Sequence, residues 1–264
     1  EKKGKLITIL DKNIEIISLE KNQLKYSILQ FIKIIYAQKP DYIYSTIFNM
    51  NIYVSIICKI LKINAKIIVR ESIFLSEKLS QYSLLSRYFF KFLISWSYNL
   101  ADFIIAPSKF IKNDLIKNFN IKEKKIFTIF NPVDYYAIKD QSSEKIDCLS
   151  IDSKKFNLIT VARLVKQKNI IFLLKVVKEI LNTNKINNLN LYIVGDGPLF
   201  NDLYKYIETN NLSKKIFLLG EKTNPYKYIS KADIYVQSSL FEGSPNSLIH
   251  AILLKKPVIA FDCN

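Results

Sequence analysis

Two cations in the second half of the sequence are spaced for binding a phosphate-bearing ligand. Arg163 directly follows a short apolar run, and Lys168 stands at the predicted start of a helix. Free amides at a helix N-terminus favour an anion, a guanidinium binds phosphate in a bidentate way, and lysine adds a point charge. These two residues are therefore candidates for holding a diphosphate and stabilising its charge, and a solvated basic turn is the alternative.

A second candidate lies in residues 238–250, Ser-Ser-Leu-Phe-Glu-Gly-Ser-Pro-Asn-Ser-Leu-Ile-His. Ser244 is suited to cap a helix, and Pro245 is suited to its first position. Such a helix start would direct three backbone amides at the preceding loop and form an anion cradle. The three amides belong to Asn246, Ser247 and Leu248.

Three further residues of this stretch could contact the same ligand. Glu242 precedes the cradle and is followed by the flexible Gly243. Its carboxylate could accept hydrogen bonds from sugar hydroxyls beside the phosphates, and a solvated surface carboxylate is the alternative. His250 is the only histidine. We expect it to contact the ligand rather than to act as an acid or base, because a general base needs reach as well as a suitable pKa.

Glycines end two other apolar runs of the second half. Residues 195–198 have the sequence Gly-Asp-Gly-Pro, which predicts a tight turn and lacks the third glycine of a dinucleotide-binding fingerprint. Gly220, with Lys222 close behind it, stands where the backbone could approach a flat ligand such as a base. An ordinary strand-ending glycine is the alternative.

Composition limits the other classes of site. No Asp-x-Asp pair and no cluster of His, Cys and carboxylate residues occurs, so we expect neither a metal nor another cofactor. Cys58, Cys148 and Cys263 are far apart and lack Cys-x-x-Cys spacing, which favours a reducing cytoplasm. The 39 Lys and Arg against 23 Asp and Glu give a net charge of +16, which favours anionic partners, and a solvated lysine-rich surface is the alternative. No nucleic-acid-binding motif accompanies this charge, so we expect no nucleic acid partner.

The elements that position these residues follow from hydrophobic periodicity. Short β-branched runs alternate with amphipathic stretches, which is typical of parallel strands joined by helices. The first half predicts strands at Leu6–Leu10, Ile14–Leu19, Tyr42–Ser45, Lys66–Arg70, Phe103–Ala106 and Ile126–Phe130, and helices at Leu24–Tyr36, Asn51–Leu61, Tyr82–Tyr98 and Ser108–Asn118. The second half predicts strands at Phe156–Ala162, Leu189–Val194, Ile216–Leu219, Ile234–Gln237 and Val258–Phe261.

We predict two α/β lobes, residues 1–138 and 156–264, joined by a polar linker at 139–155. The first helix of the second lobe carries a stripe that should pack on its sheet: Ile170, Leu173, Leu174, Val177, Ile180 and Leu181. Both lobes are expected to be incomplete, because the chain opens on a strand and stops just behind another. No apolar run approaches the ~20 residues that span a bilayer, and no signal-peptide core follows the first residues.

One predicted helix of the first lobe carries a second apolar stripe, beside Arg87 and Lys91. Its members are Leu84, Leu85, Tyr88, Phe89, Phe92, Leu93 and Trp96. Core packing is the interpretation that we favour, and contact with an anionic membrane surface is the alternative.

Successive motifs of the second half resemble, in order and spacing, those of the family-4 retaining glycosyltransferases. They lie at residues 162–169, 194–198, 217–220, 224–226, 232–236 and 242–248. The first half is similar more loosely, at residues 39–44, 101–108 and 131–134. The resemblance implies the GT-B fold, an α/β architecture of two Rossmann-like lobes whose parallel sheets face each other across a cleft, here truncated at both ends.

The resemblance also implies a function for the site residues. Arg163 and Lys168 would hold the diphosphate of a nucleotide-sugar donor, the loop at Gly220 would meet the base, and Glu242 with the amides behind Pro245 would contact sugar and phosphate. The enzyme would transfer a sugar, with retained configuration and without a metal, from a UDP-sugar to a glycan or polyprenyl-linked acceptor. It would work in the cytoplasm, peripherally on the inner face of the cell membrane.

Two positions depart from the family's pattern. The family's paired glutamates would fall on Glu242 and on the position of His250. The second glutamate usually binds the ribose hydroxyls in the family, so an imidazole would have to replace it here. Many relatives carry an acceptor-side histidine where this chain has Val69-Arg70-Glu71-Ser72. Glu71 and Ser72 are the candidates for that side. An epimerase of the same two-lobed shape and an inactive nucleotide-binding remnant are the alternatives.

Overall fold

The computed structural model describes residues 11–19, 27–146, 151–183 and 188–263. The chain divides into two compact units, and the division falls between Ile129 and Phe130. Each unit is built around one parallel sheet with helices. The predicted α/β organisation with two parallel sheets is therefore confirmed.

Within the described residues, the first unit contains a four-stranded sheet with the order β1-β2-β3-β4, in which all pairs are parallel. Its strands are β1 (Tyr42–Thr46), β2 (Lys66–Arg70), β3 (Phe103–Ala106) and β4 (Ile126–Thr128). The sequence predicts all four, and only β4 ends as much as two residues early. The side chains of Ile67, Val69, Ile104 and Ala106 are buried and form the centre of the core of this unit.

The described part of the first unit has five α-helices: α1 (Ile28–Gln38), α2 (Phe48–Ile60), α3 (Leu75–Ser80), α4 (Leu84–Leu100) and α5 (Lys109–Phe119). Periodicity predicts four of them and misses the short α3. The predicted cap of α5 is confirmed, because the hydroxyl of Ser108 accepts a hydrogen bond of 3.2 Å from the amide of Ile111.

The strand predicted at Ile14–Leu19 is wrong. These residues form neither strand nor helix, and Ile14, Ile16 and Ile17 are exposed. An apolar alternation forms a strand only where it packs against cross-strand neighbours, and this segment pairs with no described strand. The strand predicted at Leu6–Leu10 lies outside the described residues.

Core packing is also wrong for six of the seven residues in the apolar stripe of α4. Leu93 packs against the core, whereas Leu84, Leu85, Tyr88, Phe89, Phe92 and Trp96 are exposed. The buried face of α4 instead carries Ile94, Ser97 and Tyr98, and the helix packs on α2. Periodicity identifies an apolar stripe, but it does not reveal which side of the helix the neighbouring elements occupy.

The second unit contains a five-stranded parallel sheet with the order β7-β6-β5-β8-β9. Its strands are β5 (Phe156–Val161), β6 (Leu189–Val194), β7 (Ile216–Gly220), β8 (Ile234–Gln237) and β9 (Val258–Ala260). All five predicted strands are confirmed to within one residue. The strand order runs from β5 to β7 in one direction and from β8 to β9 in the other, so the order reverses between the neighbours β5 and β8.

The α-helices among the described residues of the second unit are α6 (Tyr135–Ser142), α7 (Ile170–Asn182), α8 (Phe200–Thr209), α9 (Tyr226–Lys231) and α10 (Asn246–Leu253). The predicted stripe of α7 is confirmed, because four of its six residues are buried and Ile180 and Leu181 pack against the same cluster. The first part of the range predicted as linker is helical. There the carbonyls of Gln141 and Ser142 accept hydrogen bonds from Asn224 (2.8 Å) and Ser230 (2.9 Å).

Candidate functional site

A cavity of about 850 Å³ lies at the carboxyl end of the second sheet. Its walls come from the segments that follow β5, β6, β7 and β8 and from the first turns of α10. Because the strand order reverses between β5 and β8, this is the position at which open parallel sheets bind ligands. The sequence-predicted site residues that line it are Arg163, Lys168, Lys222, Glu242, Asn246, Ser247 and His250.

The turn after β6 holds the backbone around Arg163 in place. Gly195 has φ +139, and a Cβ there would lie 2.0 Å from the carbonyl oxygen of Ala162. A Cβ on Gly197 would lie 2.6 Å from the carbonyl oxygen of Leu164. The two glycines therefore allow a contact between main chains that any other residue would block. The sequence indicates the turn, but not its contact with the Arg163 segment.

Arg163 is exposed in the cavity wall, and its guanidinium has no hydrogen-bond or ion-pair partner among the described residues. Lys168 differs, because its Nζ forms an ion pair of 2.5 Å with Oε1 of Glu242. Their side chains are 21% and 9% exposed. Arg163 therefore supplies an uncompensated positive charge, whereas Lys168 and Glu242 form a neutral pair.

Hydrogen bonds to main-chain carbonyls tie the Lys168 turn to the loop after β8. The backbone amide of Leu240 donates to the carbonyl of Gln167 (2.8 Å), and the side-chain amide of Gln167 donates to the carbonyl of Phe241 (2.8 Å). The hydroxyl of Ser238 donates to the carbonyl of Lys168 (2.9 Å). Gln167 and Ser238 thus position the ion pair, and no spacing in the sequence marks them for that role.

The start of α10 differs from the expected cap. Pro245 has a non-helical ψ of 89 and is itself the N-cap residue, so the helix begins at Asn246 and has no side-chain cap. The Ser244 hydroxyl instead accepts a hydrogen bond from Nδ2 of Asn131 (3.3 Å), which also donates to Oδ1 of Asn246 (2.6 Å). Asn131 holds the entrance of the helix from a distant part of the chain.

Leu248 is wrong as a member of the amide cradle. Its amide donates to the carbonyl of Pro245 (3.1 Å), and its side chain packs against the core. The first-turn amides of Asn246 and Ser247 have no such backbone bond within the described chain. These two N–H groups are the donors that α10 directs towards the cavity. The hydroxyl of Ser247 accepts a hydrogen bond of 2.8 Å from buried Tyr235.

Gly220 and Gly243 do not belong to the cavity wall as the described residues form it. Gly220 has φ +69, a conformation that favours glycine, and its carbonyl accepts a hydrogen bond from the Gly195 amide at 2.9 Å. The following Glu221 and Lys222 do line the cavity. Gly220 therefore places its neighbours in the wall.

His250 and Tyr226 form one side of the cavity. Their rings pack edge to face with centroids 5.1 Å apart. Burial lowers the pKa of His250 below its usual value, which keeps the imidazole neutral at neutral pH. A neutral imidazole both donates and accepts hydrogen bonds, so this wall suits a polar but uncharged group of a ligand.

In the first unit, Glu71 follows β2 and is 1% exposed. The amides of Ser72 and Ile73 donate to its Oε1 (3.0 and 3.1 Å), and the hydroxyl of Tyr98 donates to its Oε2 (2.6 Å). Burial raises the pKa of Glu71 to about 7, against the opposing effect of these hydrogen bonds and of Lys78. By accepting these hydrogen bonds, the Glu71 carboxyl group holds the start of the loop at half-buried Ser72 in place.

Among the described residues, no three His, Cys, Asp or Glu side chains cluster in a way that could hold a metal ion.

Two family models match most of the chain. Residues 15–135 match Glycosyltransferase Family 4, and residues 141–264 match Glycosyl transferases group 1. The cavity lies within the second matched region.

Two known glycosyltransferases resemble this chain over 89% and 65% of its length. An uncharacterized glycosyltransferase of Methanocaldococcus jannaschii is 33% identical over 89% of the chain and 58% of its own length. The N-acetylgalactosamine-N,N'-diacetylbacillosaminyl-diphospho-undecaprenol 4-alpha-N-acetylgalactosaminyltransferase of Campylobacter jejuni is 36% identical over 65% of the chain and 44% of its own length. The chain thus spans about half the length of these relatives.

A solved structure of Anabaena HepE in complex with UDP and glucose has the same fold. It superposes with a TM-score of 0.71 at 16% identity, over 90% of this chain and 63% of that one.

Proposed function

Because the chain belongs to the glycosyltransferases of GT-B fold, we propose that it transfers a sugar from a UDP-sugar to a hydroxyl of a glycan or polyprenyl-linked acceptor. The Campylobacter relative is named for a diphospho-undecaprenol acceptor, and the Anabaena structure holds UDP and glucose. Both support this assignment. We also propose a cytoplasmic location, because the three cysteines are odd in number, far apart and without Cys-x-x-Cys spacing.

One observation carries the proposal: Arg163 and the first turn of α10 line the same cavity at the reversal of the strand order. A guanidinium and amides at a helix N-terminus are suited to a diphosphate. The ion pair of Lys168 and Glu242 lies in the same wall. In our proposal Glu242 accepts hydrogen bonds from the hydroxyls of the donor sugar, and Lys168 holds its carboxylate in place.

During the proposed transfer, the bond between the anomeric carbon and the diphosphate oxygen breaks. The acceptor oxygen bonds to that carbon on the same face, and the acceptor proton passes to the departing diphosphate. Arg163 and the amides of Asn246 and Ser247 stabilise the charge that builds on this leaving group. Such preorganised donors are each worth about 3–4 kcal/mol of barrier in other enzymes. The protein thereby supplies the positive charge itself, and we propose that no metal is required.

Isothermal titration calorimetry with UDP tests the site. We expect Arg163→Ala to weaken UDP binding about 10- to 100-fold, because a hydrogen bond to a charged group contributes about 1.5–3 kcal/mol. Lys166→Ala is the matched control, since Lys166 is an exposed cation of the same turn outside the cavity wall. Equal affinities for the two variants would contradict the assignment of the diphosphate to this cavity.

Activity assays test the reaction. We expect radiolabelled sugar to pass from a UDP-sugar to a polyprenyl-diphosphate-linked acceptor in the presence of EDTA, with the anomeric configuration retained by NMR. Loss of transfer on chelation would refute metal independence alone. Epimerised donor in the absence of acceptor would instead indicate an epimerase.

A further inference from the structure

Among the residues that the structure describes, no element covers the apolar face of helix α4. Leu84, Leu85, Tyr88, Phe89, Phe92 and Trp96, which we call the α4 apolar face, are between 45% and 85% exposed. At 100° per residue these side chains lie within an arc of about 140°, and they extend for about 18 Å along the helix. Four of the six are aromatic. Soluble monomers seldom expose so continuous an apolar surface without a binding role.

Helix α4 and residues 27–129 as a whole carry a net positive charge. Helix α4 contains Arg87 and Lys91 and no acidic residue, and residues 27–129 carry fifteen Lys and Arg against six Asp and Glu. Arg87 donates hydrogen bonds to the carbonyls of Leu79 (3.2 Å) and Ser80 (2.7 Å), so it fastens α3 to α4. Lys91 is exposed at the edge of the α4 apolar face, where its ammonium can reach an anionic group.

Length and composition determine how such a helix can meet a bilayer. Within the described residues, no helix combines the length and the apolarity needed to cross a membrane. Helix α4 has 17 residues, and its opposite face is buried with Ile94, Ser97 and Tyr98. An amphipathic helix with aromatic residues on one side lies in the plane of the interface, with that side in the boundary between headgroups and acyl chains.

We propose that the α4 apolar face docks this protein on an anionic lipid bilayer. The positive charge of the first unit attracts such a surface, whereas it opposes association with a second copy of the same chain. The inference rests on the proposed function in one respect: docking brings the enzyme to a polyprenyl-linked acceptor, which is presented at a membrane surface.

Trp96 is the only tryptophan of the chain and lies on the docking face, so its fluorescence reports on that face alone. We expect its emission to shift to shorter wavelength, and to become protected from acrylamide, when vesicles of phosphatidylglycerol and phosphatidylcholine are added to the full chain. Pure phosphatidylcholine vesicles should give a weaker response. Unchanged emission with the anionic vesicles would overturn the proposal.

A double substitution tests the face directly. We expect Phe89→Ser with Phe92→Ser to lower vesicle partitioning about tenfold or more, since fully burying an aromatic side chain is worth at least that factor. The matched control is Tyr136→Ser with Tyr204→Ser, which removes two exposed aromatic rings from the second unit. Equal losses in both double variants would overturn the proposal. Circular dichroism checks that each variant remains folded.

UDP titration of the same variants separates this inference from the proposed function. Weakened vesicle binding with unchanged UDP affinity supports docking through α4. UDP binding without any vesicle binding refutes docking and leaves the proposed donor site unaffected. Vesicle binding without UDP binding refutes the donor site alone. A shift of Trp96 emission with protein concentration in the absence of lipid, abolished by the two serines, would assign the face to a second copy and overturn the proposal.

Discussion

The ion pair of Lys168 and Glu242 allows the sharpest test of how the cavity works. Its atoms are 2.5 Å apart, and the two side chains are 21% and 9% exposed. At an effective dielectric constant of about 20, this separation corresponds to about 7 kcal/mol of direct attraction, and the loss of hydration offsets most of it. We expect a net coupling of about 1–3 kcal/mol between the two residues.

A double-mutant cycle measures that coupling. Lys168→Met, Glu242→Gln and the double variant are compared with the wild type by urea unfolding, followed by circular dichroism. The matched control is the ion pair of Lys112 and Glu123, which is 2.9 Å long but has a glutamate that is 69% exposed. Because water screens such a surface pair, we expect less than about 1 kcal/mol of coupling there.

The same variants should change UDP binding in opposite directions. Glu242→Gln removes a negative charge from the cavity wall and releases Lys168 for the diphosphate, so we expect UDP to bind about three- to tenfold more tightly. Sugar transfer should nevertheless slow, because the carboxylate that receives the sugar hydroxyls is lost. Lys168→Met should weaken UDP binding. Coupling no larger than in the control pair, or weaker UDP binding by Glu242→Gln, would refute this account of the site.

Two more predictions concern the scaffold of each unit. A Cβ on Gly195 would lie 2.0 Å from the main chain of Ala162, whereas no atom of the described residues lies within 4 Å of a Cβ on Gly220, although both glycines have positive φ. Gly195→Ala should therefore cost more than about 3 kcal/mol of unfolding free energy and abolish UDP binding, while Gly220→Ala should cost about 1–2 kcal/mol; equal costs in urea unfolding would contradict the close contact. Burial in the folded protein raises the pKa of Glu71 from 4.5 to about 7. The contribution of Glu71 to the free energy of unfolding is therefore fully present below about pH 4.5, where its carboxyl is protonated, and is lost as the pH rises through about 7. The wild type should lose about 3 kcal/mol of unfolding free energy between about pH 5 and pH 8, and Glu71→Gln should abolish this loss. An unchanged pH dependence of denaturant unfolding in the variant would count against a buried carboxyl at this position.

The sequence predicts most of the strands because strand formation in a buried parallel sheet depends mainly on the residue types within the strand itself. A strand buried on both faces of a parallel sheet needs a short β-branched run, and nine such runs stand out between residues 42 and 261. Ile14–Leu19 has the same pattern and is not a strand, because pairing depends on a neighbour that the pattern itself does not contain. The short α3 is missed because six residues are too few to establish a helical period.

The candidate site is predicted in part for a related reason. Arg163 is found because a residue at the carboxyl end of a strand in an open sheet faces the ligand side. The partnership of Lys168 with Glu242 is missed because 74 residues separate them in the chain. Only the adjacency of β5 and β8 brings them together, and Asn131 reaches the start of α10 across a still longer separation.

Residue types and their period, which are properties of short segments, thus determined the two parallel sheets, the cation at the tip of β5 and the amphipathic character of α4. Tertiary structure decided which charges are paired, where α10 begins and which face of α4 meets solvent. Those outcomes depend on contacts between segments distant in sequence. The residues that lie opposite in space decide whether Lys168 is neutralised and whether the aromatic stripe of α4 is buried.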